Sequence, residues 1–413
     1  VAAASAGGAG GGGQAASSAA GHGGAGDGGM SAQPQPQLPL GSERLAPAWV
    51  LSTGRHGGSL AAWERDWKQL YRAGGEANPF LSWEWQSGWT ANLEEGRQAL
   101  VVAQPFADGG LAGLLALQRR RRRGLRQMEF LGQGSGGDEM DCLLHPHAPP
   151  GLAVRLLRLA LGQQRWSLLR LESAHAEGEL ARAAEFADSG WRLAREPGES
   201  LPTLRLPREA NAAEGFERLL SQHSANFRQE VRRRRRRWAR ALPNAWLECA
   251  ATPPAVAAAL PHLFRLHNLR RAQQQSAGIF LSPRLQTFHL RVGPQLAARG
   301  AARVYLWRTP GMVLAALYGL EGGAPGARRF LYFQSGLDPA LSHLSPGTVL
   351  LSSVIEDCIA RGLQRFDFLR GEESYKRRWT SEAGHSVTLR GARGLAGHAY
   401  ARVRQWRRQG GRP

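Results

Sequence analysis

The sequence is poor in several features, and each absence narrows what it can be. Cysteine occurs three times in 413 residues, at Cys142, Cys249 and Cys358. Three thiols with no C-x-x-C spacing build neither a disulfide framework nor a common zinc site. A reducing, cytoplasmic setting is therefore expected, with no metal. No run of about 18 apolar residues occurs, so no membrane-spanning helix is expected. No G-x-S-x-G or similar nucleophile motif is present. Lysine is nearly missing: Lys68 and Lys376 stand against 51 arginines among the 53 basic residues.

What is abundant is positive charge. The formal net charge is +20, with 33 acidic residues. Such a charge attracts phosphates, nucleic acids or anionic lipid. Heavy use of Arg, Ala and Gly together fits a GC-rich coding sequence, so the basicity by itself does not define a nucleic-acid binder. The length suits two domains and a tail. Residues 1–29 are almost all Gly, Ala and Ser and lack the basic and apolar regions of a signal peptide, so disorder is expected there, with Met30 as the true start.

The hydrophobic pattern gives four segments. Residues 1–58 read as low-complexity tail and Pro/Gln-rich linker, with structure beginning near Ser59. Residues 59–207 and 208–395 read as two units of one design, and 396–413 as a basic helix and tail. In the first unit, helices through Trp67 and Trp85 precede strands at Leu100–Gln104, Leu111–Leu117 and Leu125–Leu131. A Gly-rich loop, a helix at Gly151–Gly162, a strand at Ser167–Leu171, a helix at Glu177–Ala187 and two short strands in Trp191–Leu206 follow. The second unit repeats the order. Four helices lead into strands at Ala302–Arg308, Met312–Leu320 and Arg329–Gln334. A helix at Pro346–Arg361 and strands at Arg365–Leu369 and Ser386–Arg390 complete it. Phe130-Leu131-Gly132-Gln133-Gly134 echoes Phe333-Gln334-Ser335-Gly336. The offset is roughly 200 residues, which fits domain duplication better than a solenoid. The expected fold class is α/β (α+β), a mixed central sheet flanked by helices in each unit.

Two motifs in the second unit suggest chemistry. Leu344-Ser345-Pro346-Gly347-Thr348 opens a helix. Ser345 is a natural N-cap and Pro346 suits the first helical position. The N–H groups of Gly347, Thr348 and Val349 would then face an anion such as pyrophosphate; an ordinary capped helix explains the same residues. Farther on, the strand Phe366-Asp367-Phe368 enters Glu372-Glu373-Ser374-Tyr375-Lys376. Acyl transfer to an amine needs a base for the ammonium proton and an acid for the leaving thiolate. Glu372 or Glu373 can be the base and Tyr375 the acid, with Lys376 paired to Glu372 or holding a phosphate. A solvated helix start accounts for the same residues.

These motifs carry a resemblance. The run from Phe227 to Trp379 resembles the FemAB/CelD-like branch of the GNAT superfamily, which is associated with cellulose and exopolysaccharide loci. The matching residues include Asn226-Phe227-Arg228, Leu266-His267-Asn268-Leu269-Arg270, Gly336-Leu337-Asp338-Pro339 and the two motifs above. The first unit matches more loosely, through Asn78-Pro79-Phe80-Leu81-Ser82-Trp83-Glu84-Trp85. The resemblance implies tandem GNAT-like domains and an N-acyltransferase. The donor would be acyl-CoA, such as acetyl-CoA, and the acceptor an amine-bearing small molecule or glycan precursor. It also implies a pyrophosphate site at Ser345, Gly347, Thr348 and Val349, and a proton-donating tyrosine at Tyr375. Glu372 and Lys376 would complete the catalytic set, and Arg270 would join the acceptor site. The usual Gln/Arg-x-x-Gly-x-Gly/Ala phosphate loop is absent.

Gly132-Gln133-Gly134-Ser135-Gly136-Gly137 fits G-x-G-x-x-G, but Asp138-Glu139-Met140-Asp141 follows where a dinucleotide fold needs a helix. Asp138 and Asp141 can instead grip a cationic acceptor from the cleft between the units, or simply solvate a loop. Arg119–Arg123 and Arg232–Arg237 suit CoA phosphates, an anionic polysaccharide or the inner leaflet of a membrane, and equally a solvated surface. Two other functions fit the same residues. One is a tRNA-dependent aminoacyl transferase of FemAB type. The other is a non-catalytic partner in a polysaccharide synthase complex.

Overall fold

The computed structural model describes residues 44–52, 60–94, 96–162, 165–184, 193–209, 211–324 and 326–408. The expectations for the Gly/Ala-rich tail and for Met30 lie outside them. Structure begins earlier than the expected Ser59. Trp49–Ser52 forms strand β1, antiparallel to Gln98–Pro105 (β2). Trp49 and Val50 are exposed, so no alternation in the sequence marked this edge strand.

Thirteen strands form one mixed sheet among the described residues. The first half supplies β1, β2, β3 (Leu111–Arg122), β4 (Leu125–Phe130), β5 (Leu143–Leu144), β6 (Leu168–His175) and β7 (Leu193–Arg205). The second supplies β8 (Trp246–Ala250), β9 (Ala302–Thr309), β10 (Met312–Gly322), β11 (Arg329–Leu337), β12 (Arg365–Asp367) and β13 (Ala383–Ala392). The spatial order is β1-β2-β3-β4-β6-β13-β7-β12-β11-β10-β9-β8, with β5 alongside β3. The order is the same from either end until the centre. There the last strand of each half has crossed over. β7 pairs with β12 and β13 with β6, while β7 and β13 pair with each other. Each half contains one parallel pair, β4 with β6 and β11 with β12. The expected mixed α/β class with helix-flanked sheet is therefore what the chain forms. One correction is that Trp191–Leu206 holds one long strand from Leu193, bent by a register shift against β13, where two short strands were expected.

The helices follow the duplication. Glu64–Ala73 (α1) and Trp83–Ala91 (α2) correspond to Pro253–Gln273 (α7) and Pro283–Ala297 (α8). Leu152–Gly162 (α3) corresponds to Pro346–Ala360 (α9). Glu179–Ala183 (α4) lies in the first half. Ala212–Ser221 (α5), Ala225–Ala241 (α6), the short Ser374–Arg377 (α10) and the terminal Gly394–Arg408 (α11) lie in the second.

The clearest duplicate is local. Phe80-Leu81-Ser82 and Phe280-Leu281-Ser282 each end a 3-10 turn, and each serine caps the next helix, on the N–H of Trp85 and of Leu285. Gln86 and Gln286 each return a side-chain N–H to the carbonyl of their own phenylalanine, at 2.6 Å in both halves. Helices α2 and α8 pack together at the centre, with Trp85 and Phe288 rings edge to face at 5.0 Å. Among the described residues, no helix is long and apolar enough to cross a membrane.

Candidate active site: two cavities with a shared wall

The parallel ladder between β11 and β12 is three residues long and ends at Leu331 and Asp367. Beyond that point β11 stays with β10, while the other chain turns to β7 through the Phe368 N–H and the Pro202 carbonyl. The strands thus open into a wedge. Phe333 bulges out of the ladder with β10 there, re-aiming its neighbours. Leu369 ends the other arm with a φ of 54°, a left-handed conformation that is strained for a leucine.

Two cavities occupy the wedge. A smaller one of about 290 Å³ lies between β11, the start of α9 and Trp379. A larger one of about 700 Å³ lies between the Gly-rich loop of the first half and β11, α7 and the β12–α10 segment of the second. Arg270, Gln274, Tyr332, Ser335 and Tyr375 line both. A reaction joining a ligand in one cavity to a ligand in the other would take place at this wall.

Tyr375 stands in the shared wall. Burial holds its phenol far above its ordinary pKa, reinforced by the adjacent Tyr332, so it stays protonated. Tyr332 in turn donates to Ser335 Oγ at 2.6 Å. Arg270 reaches the same Ser335 oxygen at 3.4 Å.

Several other expected site residues are placed differently. Glu372 is not in either cavity wall. It is solvent-exposed and pairs with Arg377 at 2.7 Å. Glu373 takes its place in the larger cavity. Lys376 pairs with Glu373 at 2.9 Å instead of Glu372. Its ammonium also donates to the carbonyls of Arg370 at 2.6 Å and Leu369 at 3.4 Å. Two of its contacts thus brace the strained turn after β12, and the third holds the Glu373 carboxylate. Lys376 also lines the larger cavity.

The helix start is also rearranged. Ser345 has a left-handed φ of 56° and its side chain does not cap α9. The Thr348 and Val349 N–H groups both turn to the Ser345 carbonyl, so they do not point at a ligand. Val349 is core, beside Trp238, Leu314 and Leu344. Ser345, Gly347 and Thr348 do line the smaller cavity. Arg234 belongs to the basic run Arg232–Arg237 on α6 that suits CoA phosphates, and its guanidinium donates to Thr348 Oγ1 at 2.7 Å. A six-arginine run gives no sign of which member faces inward.

In the Gly-rich loop, Asp138 lines the larger cavity but is buried and pairs with Arg370 at 2.9 Å. Burial raises its pKa, and Arg370 partly opposes the rise. It is therefore not a free carboxylate for a cation. Asp141 lies outside both cavities and accepts from the N–H groups of Cys142, Glu179 and Leu180, anchoring α4. Its expected grip on the acceptor does not hold.

The same wedge in the first half is closed. After Met128 and Leu169 the β4–β6 ladder ends, and Gln133 fills the gap. Its amide accepts from the Glu172 N–H at 3.0 Å and donates to the Glu172 carboxylate at 3.1 Å. Buried Gln118 links Gln133 to Glu129 and to the Trp89 indole. Duplication made two wedges, and the second half keeps its wedge open.

Residues 225–377, which build most of the open wedge, match the family model described as acetyltransferase (GNAT) domain. This segment carries a GNAT acetyltransferase domain. The chain also resembles the crystal structure of FemX, at 10% identity over 79% of this chain and 95% of that one, with a TM-score of 0.52. A conserved protein of unknown function from Bacteroides thetaiotaomicron VPI-5482 is similar at 10% identity, over 82% of this chain and 98% of that one, with a TM-score of 0.51. At such identities these likenesses concern the fold. No curated protein matches the chain.

Proposed function

We propose that the protein is an N-acyltransferase that moves an acyl group from a coenzyme A thioester to an amine. The observation that carries this reading is the pair of cavities meeting at Tyr375 in the GNAT segment. The smaller cavity takes the acyl-pantetheine arm, with the phosphates toward Gly347, Thr348 and Arg234. The larger cavity takes the amine. The neutral amine attacks the thioester carbon, the C–N bond forms and the C–S bond breaks. Tyr375 gives its proton to the departing sulfur. The ammonium proton leaves to a carboxylate in the larger cavity, a role that Glu373 fills in place of Glu372.

Calorimetric titration of acetyl-CoA at moderate salt tests the donor site. Saturable binding is expected, and Gly347→Asp should abolish it. The new carboxylate would project into the smaller cavity, where even a Cβ sits 3.1 Å from Leu337. Tyr375→Phe should keep acetyl-CoA affinity and lower kcat by about a hundredfold or more, the usual worth of a general acid. No binding of acetyl-CoA or longer acyl-CoAs, with turnover supported by aminoacyl-tRNA, would replace this reading by the tRNA-dependent one.

A further inference from the structure

The wall of the larger cavity contains an unbalanced pair of charges. The last two turns of α7 and its C-cap present His267, Arg270, Arg271 and Gln274 to it. That spacing of three, four and seven residues is one helix face. Elsewhere α7 is packed by apolar residues such as Leu260, Leu263 and Phe264. A polar stripe therefore replaces the core pattern only where the helix meets the cavity.

The other charges in the wall, Glu199 excepted, are already engaged. Asp138 pairs with Arg370, Glu373 with Lys376, and Glu172 with Arg170. Among the described residues, neither Arg270 nor Arg271 pairs with a carboxylate, and both are half-buried. The negative C-terminal end of α7 stabilises the two guanidiniums without using their outward N–H groups. His267 belongs to the same wall. It is 2% exposed, its Nδ1 lies 3.0 Å from the Ser335 carbonyl, and its Nε2 has no partner among the described residues. Burial lowers the pKa of the ring, whose contact with the Ser335 carbonyl ties α7 to β11 beside the two arginines. Glu199, exposed and lining the same cavity, is likewise without an ion pair among the described residues.

We infer that the acceptor is an amine that also carries an anionic group, a phosphate or a carboxylate, held by Arg271 and Arg270. Two adjacent guanidiniums match such a group in geometry as well as charge. The inference rests on reading the larger cavity as the acceptor site. It does not depend on the identity of the donor.

The test is binding of matched pairs to the full chain, at about 0.15 M salt so that the net charge is screened beyond about 8 Å. The pairs are D-glucosamine 6-phosphate against D-glucosamine, phosphoethanolamine against ethanolamine, and glycine against glycinamide. In at least one pair the anionic member should bind about tenfold tighter or more. Arg271→Gln should erase that preference and Arg271→Lys should restore part of it, both with unchanged melting temperature. Arg271 lines only the larger cavity, so acetyl-CoA affinity should not change in either variant. Equal affinity within every pair overturns the inference. So does a preference that survives Arg271→Gln, or no binding by any anionic amine up to about 10 mM, weaker than the millimolar range of a small ligand. A protein that shows the Arg271-dependent preference but binds no acetyl-CoA keeps this inference and loses the donor reading.

Discussion

His289 on α8 shows how a single side chain can set a pH limit. Its ring lies among Trp85, Phe280, Phe288, Tyr318 and Phe333, all with centroids within 5.9 Å. Both ring nitrogens are buried without a partner among the described residues. Burial lowers its pKa to about 3. The unfolded chain binds this proton below about pH 6.5, and the folded chain does not until about pH 3. Stability is therefore full above pH 6.5 and falls as the pH drops toward 3, by on the order of 5 kcal/mol from this residue. His289→Leu removes both the linkage and two unsatisfied nitrogens. It should raise stability at pH 7 by about 1 kcal/mol and flatten the loss between pH 6.5 and 4. Urea unfolding midpoints at both pH values check this, and equal pH sensitivity in the two proteins would refute it. At this scale the sequence was partly readable. Tyr375 was singled out because it follows a buried strand among carboxylates and stands where the resembling family has a proton-donating tyrosine; the structure puts it in the wall of both cavities. Glu372 was preferred to Glu373 because nothing in the sequence shows which way a four-residue helix turns. Lys376 stood out by its rarity, but nothing in the sequence shows that its ammonium meets Glu373 and the Leu369 and Arg370 carbonyls.

The helix pair α2 and α8 decides how the two halves meet. Gly88 lies where a Cβ would come within 2.3 Å of Val292 Cγ2. Val292 is fully buried and stiff at χ1, so it cannot easily swing away. Asn92 and Arg284 fix the ends of the pair, by N–H donation to each other's carbonyls at 2.9 and 2.7 Å. Gly88→Ala should destabilise the protein by about 1–3 kcal/mol through overpacking. Val292→Ala, which deletes the obstructing methyls, should recover most of the loss in the double variant, beyond additivity. Additive losses in thermal unfolding would mean that the helices do not pack this closely. The elements themselves were mostly legible from apolar runs and spacing, because strands such as β2 and β10 are buried almost throughout and helices such as α1, α3 and α5 are amphipathic. The close approach of α2 to α8 was not, since Gly88 alone carries it. The twin Phe-Leu-Ser turns, 200 residues apart, were present in the sequence and give a sharper sign of duplication than the Gly-rich echoes. Their meaning depends on two glutamine side-chain bonds that spacing alone does not reveal.

At the scale of the whole molecule, strand exchange makes each half incomplete by itself. A chain starting at Arg208 would lack β7. Strand β12 would lose its antiparallel neighbour, and β13 would lose both β7 and β6. The first half alone would lack β13 between β6 and β7 in the same way. Each fragment would expose strand edges whose N–H and C=O groups are paired in the full chain, which favours aggregation. No pattern within either half predicts this, because alternation specifies that a strand is half-buried and not which neighbour completes its ladder. The halves expressed separately, cut after Pro207, should therefore be insoluble. Expressed together, they should copurify as one particle, since β7 and β13 can still exchange without a covalent link. The open wedge should respond with them: its arm from Phe368 onward hangs on β7 through the Pro202 and Ser200 carbonyls, so acetyl-CoA binding should appear only in the reassembled pair. A second half that is monomeric, folded and ligand-competent without β7 would show that the exchange is dispensable. The site would then belong to one domain instead of to the duplicated sheet.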